Sequence, residues 1–124
     1  MSRHVISFMP QFVDKVLSGE KRQTIRAVRK RPIKVGDTLV LATGARTKRY
    51  RKLGEATCLM AFPIRMSANG ISGRWEWSQF WSGELARRDG FETAQDFRAF
   101  FETRYGFPFD GTVIRWSEIR KEGA

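Results

Sequence analysis

Apolar positions change rhythm early in the chain. HVISF, residues 4–8, reads as a short strand, after which Phe12, Val13, Val16 and Leu17 fall on one face of a helix. Pro10 suits the first turn of that helix and Gly19 its end. Gln23 to Ala27 has strand character through Thr24 and Ile25, and Arg29 to Gly36 is a basic loop. Gly36-Asp37 is a turn signal that opens the apolar strand TLVLAT, and Leu53 to Met66 reads as another, longer strand. Between these two strands, TGARTKRYRK sets Arg46, Lys48, Arg49, Arg51 and Lys52 around Tyr50 in a cationic loop.

In the second half, Trp75 and Trp77 stand two apart and share a face if they lie on a strand, with Phe80 and Trp81 close behind. Glu84 to Asp89 fits a short helix ended by Gly90, and Thr93-Ala94-Gln95-Asp96 resembles a capping box for a second one. Phe97, Phe100, Phe101 and Tyr105 follow a helical rhythm there and predict a core stripe, not a base-stacking surface. GTVIRWSEI supplies a final strand. The pattern predicts an α+β domain on a curved or barrel-like sheet with inserted helices.

With 124 residues, the chain is expected to form a single domain, 1–124, with one continuous core. Its N-terminus carries no signal-peptide pattern, and no apolar run is long enough to span a bilayer, so a soluble, cytoplasmic, non-membrane protein is expected. One cysteine, Cys58, and one histidine, His4, leave too few ligands for a zinc site; neither a metal nor a cofactor is expected. The net charge of +10 is lopsided: residues 1–53 carry 14 Lys and Arg against three acids, and residues 54–124 carry nine against ten. That one-sided field favours polyanions, nucleic acid foremost. The phosphate-facing candidates are Arg29, Lys30, Arg31 and Lys34 in one loop and Arg46, Lys48 and Arg49 in the other, with Tyr50 to stack on a base.

Lys21 and Thr24 raise a different possibility. A threonine hydroxyl attacks a carbonyl only when a base takes its proton, and a neutral lysine amine can be that base. Bringing a lysine near neutrality takes a shift of roughly three units, about 4 kcal/mol. A like charge at about 5 Å supplies roughly 3 kcal/mol at an effective dielectric of about 20, so Arg22 or Arg26 with partial burial is a sufficient tuning device. In a regular strand, residues three apart point to opposite faces, so to meet Thr24 Lys21 must leave from the turn after Gly19 or a bulge must intervene; Arg26, two residues on, shares Thr24's face. Taken alone, the spacing is a weak signal and favours a surface lysine beside an ordinary strand threonine.

The order ISFMPQF, LSGEKRQTIR, KVGDTLVLATGARTKRYRKLGEA, ELARRDGF and a closing FxxFFxxxYG resembles the ASCH domain family over most of the chain. That resemblance implies a PUA-like small β-barrel of about five to six mostly antiparallel strands with flanking helices. Some bacterial members are amidohydrolases of N4-acetylcytidine and related N4-acylated cytosines, in which the lysine and threonine of K-x-x-T act with a later glutamate. The first two positions fall on Lys21 and Thr24; the third falls on the shorter Asp89, with Glu84 as the alternative carboxylate. On this footing Lys21, Thr24 and Asp89 are the expected catalytic set, and Arg26, Arg22, Ser7 and Phe8 are assigned to substrate binding. The expected partner is a modified nucleoside or single-stranded RNA. The rival readings are a non-catalytic RNA-binding module and a metal-independent ribonuclease.

Overall fold

Alternating burial builds the first layer. In the computed structural model, described over residues 2–68, 70–72 and 83–121, β1 (Arg3–Phe8) turns His4, Ile6 and Phe8 inward and leaves Arg3 and Val5 exposed. A 3-10 turn over Pro10–Phe12 leads into α1 (Val13–Ser18), which Gly19 ends in the left-handed region at φ 84°, a conformation that side chains disfavour. β2 (Gln23–Ala27) and β3 (Thr38–Thr43) follow on either side of the first basic loop, and β4 (Arg51–Ser67) starts after the second. β5 (Gly70–Ser72), α2 (Gly83–Arg88), α3 (Ala94–Tyr105), β6 (Phe109–Trp116) and β7 (Arg120–Lys121) complete the order. Trp75, Trp77, Phe80 and Trp81 lie outside the described residues.

The strands form one mixed sheet in the order β1-β3-β4-β6-β2, with β5 and β7 both pairing β4. Of the described pairings, β1 with β3 is parallel and the others are antiparallel. Among the described residues, the short strands β5 and β7 raise the expected five to six strands to seven. β4 serves both halves: its early residues pair with β3, and from Cys58 onward it pairs with β6 across a register shift between Cys58 and Met60. An extra residue at such a shift bends a strand, and the intervening Leu59 is exposed.

The fold is thus α+β with a twisted sheet that does not close, since β1 and β2 are its two ends. Arginine side chains bridge the gap. Arg26, Arg29 and Arg31 donate to the backbone oxygens of Ser7, Val5 and Arg3, alternate residues along one edge of β1.

Two apolar clusters flank the sheet. One gathers Ile6, Phe8, Phe12, Val16, Leu39 and Leu41 with the end of β6. The other packs Ile25, Phe62, Val113 and neighbours against Leu85 and Ala86 of α2 and Phe97 and Phe101 of α3. Thr93 caps α3 as its sequence suggests, its Oγ1 accepting from the Asp96 amide at 3.0 Å. The predicted aromatic stripe divides: Phe97 and Phe101 are buried, whereas Phe100 is partly buried and Tyr105 is 40% exposed. A 12-residue helix turns its stripe gradually around the axis, so the outer members leave the core and face a cleft.

Candidate active site

Lys21 leaves the chain from the turn between Gly19 and β2, the placement its distance from Thr24 requires, and its backbone amide donates to Lys15 O at 2.9 Å. Its side chain is 2% exposed. The ammonium donates to the backbone oxygen of Asp89 and lies 3.7 Å from Asp89 Oδ2, over the rings of Phe12 and Phe8 at 4.8 and 5.8 Å. Asp89 follows the last turn of α2, held by amide bonds to Leu85 O and Ala86 O. Gly90 then takes φ 95°, where a Cβ would come within 3.0 Å of Lys21 Cδ and 3.1 Å of Phe12 Cδ1. A side chain here would press on the lysine stem and adopt a strained backbone, so glycine suits the position.

Thr24, also buried, presents Oγ1 as acceptor to Arg26 Nε at 2.9 Å. The same guanidinium donates to Ser7 O at 2.9 Å and lies 5.1 Å from the Phe8 ring centre. These residues share one open-sided cavity of about 60 Å³, lined by Ser7, Phe8, Lys21, Thr24, Arg26 and Asp89. Met9 and Arg104, which the sequence did not single out, form part of the same wall together with Tyr105, which it assigned to the core stripe. Met9 and Tyr105 are both 40% exposed, so an apolar side chain and an aromatic ring reach solvent at the cavity. The Tyr105 ring stacks on Phe109 at 4.2 Å, which anchors it.

Burial pushes the Lys21 ammonium down to about 8, with Arg26 and Lys15 adding repulsion and Asp89 opposing the shift. The cause differs in weight from the sequence expectation: loss of water leads and neighbouring cations follow. Burial also pushes the Asp89 carboxyl up, against the pull of Lys21, a hydrogen bond from Gln23 and Arg26. Arg26 is lowered by its own burial. Burial thus weakens the charged form of both partners while each charge supports the other.

Arg22 is not brought to this cavity. Its side chain is exposed and lies beside Gly19, since Arg22 precedes β2 and is not held on Thr24's face by the strand's alternation. Glu84 is likewise on the surface, its carboxylate 3.2 Å from Arg88, which leaves Asp89 as the carboxylate among the described lining residues. In the first basic loop, Arg29 and Arg31 are tied to β1 as described above, while Lys30 and Lys34 are exposed. In the second, Arg46, Lys48, Arg49 and Tyr50 are all exposed. This loop abuts the cavity wall through Ala45, whose amide donates to Ser7 Oγ at 3.1 Å. Among the described residues, no group of three His, Cys, Asp or Glu is placed to hold a metal ion, and no helix is long and apolar enough to cross a membrane.

Sequence reasoning missed Gln23 and Arg115. Gln23 is 1% exposed, donates Nε2 to Asp89 Oδ1 at 3.1 Å and accepts Arg115 Nε on Oε1 at 2.9 Å. Gln23 opens the strand QTIRA beside the polar Thr24 and Arg26, so the sequence offers no signal that sets it apart.

No family model matches the sequence, and no curated protein matches it. Solved structures do. The crystal structure of ASCH from Zymomonas mobilis aligns with a TM-score of 0.60 at 17% identity, covering 94% of this chain and 68% of that one. A protein from Enterococcus faecalis V583 aligns with a TM-score of 0.67 at 12% identity, covering 100% of this chain and 84% of the other.

Proposed function

We propose that this chain, an ASCH fold with Lys21, Thr24 and Asp89 in one cavity, is an amidohydrolase that removes the acyl group from the exocyclic N4 amide of N4-acetylcytidine-like nucleosides. The observation that carries the reading is the burial of Lys21: a lysine held down to about 8 is partly neutral near pH 7 and can accept a proton. Neutral Lys21 takes the Thr24 hydroxyl proton as Oγ1 bonds to the acyl carbon. The bond from that carbon to N4 then breaks, and Lys21 returns the proton to the leaving amine. Water completes the cycle by attacking the acyl-threonine ester, with Lys21 accepting its proton and Thr24 regaining one.

Arg26 supports the first step. Its Nε already donates to Thr24 Oγ1, so the guanidinium stabilises negative charge developing on that oxygen. Asp89 orients the ammonium through its backbone oxygen and carboxylate. The test is incubation of pure protein with N4-acetylcytidine and measurement of released cytidine. Absence of turnover, or full turnover by Thr24→Ala, rejects the reading.

A second reading, single-stranded RNA binding, is favoured by the four exposed residues Arg46, Lys48, Arg49 and Tyr50 on a loop that abuts the cavity wall. In that reading the protein is a non-catalytic module whose affinity resides in the basic loops and survives Lys21→Met.

A further inference from the structure

Gln23 has no part in the chemistry above, yet both ends of its buried amide are engaged. The register explains how: Gln23 and Arg115 are direct partners across β2 and β6. A guanidinium only donates, so it selects the oxygen of the amide, and the amide's NH₂ must then turn toward Asp89. With Oδ1 taken by Gln23, the carboxylate offers Oδ2 to Lys21. Gln23 itself lies on the face of β2 opposite Thr24 and does not line the cavity.

We propose that Gln23, oriented by Arg115, is a positioning residue that fixes the Asp89 carboxylate against Lys21 and thereby sets the charge state of the lysine. The kinetic consequence rests on the amidohydrolase reading; the electrostatic one does not. Lys21 faces Asp89 beyond α2, Arg26 on β2 and Lys15 on α1, with Arg104 of α3 also on the cavity wall. Asp89 is the anion among these groups. Losing the Gln23 donor favours the neutral carboxyl, which removes that anion and makes the ammonium easier to deprotonate.

The test is an NMR titration of the Lys21 side chain in the full chain. In Gln23→Met the midpoint falls below that of the parent protein; an unchanged midpoint in the folded variant overturns the proposal. Arg115→Met gives a second reading should Gln23→Met fail to fold. Simple loss of a cation would raise the lysine midpoint, whereas loss of the amide's orientation lowers it, so a rise or no change overturns the relay. Adding Arg115→Met to Gln23→Met should shift the midpoint no further, and full additivity also counts against the relay. A merely structural role lowers the unfolding midpoint of Gln23→Met without moving the titration. Should N4-acetylcytidine prove inert while the midpoint still falls, the hydrolytic reading fails and the positioning role stands.

Discussion

Lys21 and Asp89 form a buried ion pair, Nζ to Oδ2 at 3.7 Å, with side chains 2% and 4% exposed. Removing one partner of such a pair strands the other in a poorly solvated site, at about 3–5 kcal/mol when it stays charged. Here both groups are already shifted toward neutrality, so the stranded one can titrate instead.

The pH dependence of stability follows from Lys21. Its folded value of about 8 lies below the ordinary 10.5, so between these limits the unfolded chain binds a proton that the folded chain has released. Stability from this group therefore rises as pH rises through that window, by about 3 kcal/mol in total. Asp89, raised above its ordinary value, works the other way at lower pH. Urea midpoints of the parent protein and Lys21→Met, compared between pH 7 and 10.5, should show the parent gaining on the variant. If the proposed reaction holds, kcat/KM rises with pH about a midpoint near 8.

Thr24→Ala should lower kcat on N4-acetylcytidine by about 10³-fold or more, as loss of a nucleophile does. Thr24→Ser retains a hydroxyl within reach of Arg26 and should retain more of the rate. Equal losses in both variants, with unchanged circular dichroism, would point away from nucleophilic chemistry at this position.

Asp89→Asn removes the anion while nearly preserving shape. The Lys21 titration should move below about 8, and the rate should fall by about 10²-fold with loss of the oriented lysine. Asp89→Glu supplies the acid that the family resemblance leads one to expect but adds a methylene to a buried position packed against Lys21 and Gln23. It should cost about 1–3 kcal/mol by overpacking, read as a lower thermal midpoint.

Gly90→Ala combines a left-handed backbone with a Cβ pressed on Lys21 Cδ and Phe12. The conformational part alone is about 1–2 kcal/mol. Because the clash falls on the lysine stem, activity should fall further than the stability change accounts for, which a comparison of rate and unfolding midpoint will show.

Neutralising Arg46, Lys48 and Arg49 together should weaken single-stranded RNA binding and make the log K against log salt slope shallower by about 2, taking about 0.7 per phosphate contact. An unchanged slope excludes this loop as the phosphate contact.

Local rhythm made much of this molecule readable. The apolar alternation of β1, the glycine stops at Gly19 and Gly90 and the Thr93 cap depend on residues a few positions apart, and all occur where the sequence places them. The seat of Lys21 was half accessible, because strand geometry required either the turn or a bulge, and β2 starting at Gln23 makes it the turn. What stayed hidden depends on distant neighbours. Arg22 and Arg26 look alike in the sequence, yet one lies beside Gly19 on the surface and the other spans to β1. Arg29 and Arg31 read as loop cations but meet edge carbonyls of β1. Gln23 reads as an ordinary strand residue until Asp89 and Arg115 arrive from 66 and 92 positions away.

That last separation bears on how the protein is made. β2 carries Thr24 and Gln23, and its described partner in the sheet is β6. During synthesis the lysine and threonine emerge early, but the strand that supports them arrives only after both later helices. A nascent chain stopped before Phe109 should therefore display its cationic loops before the strand that supports Thr24 has been made.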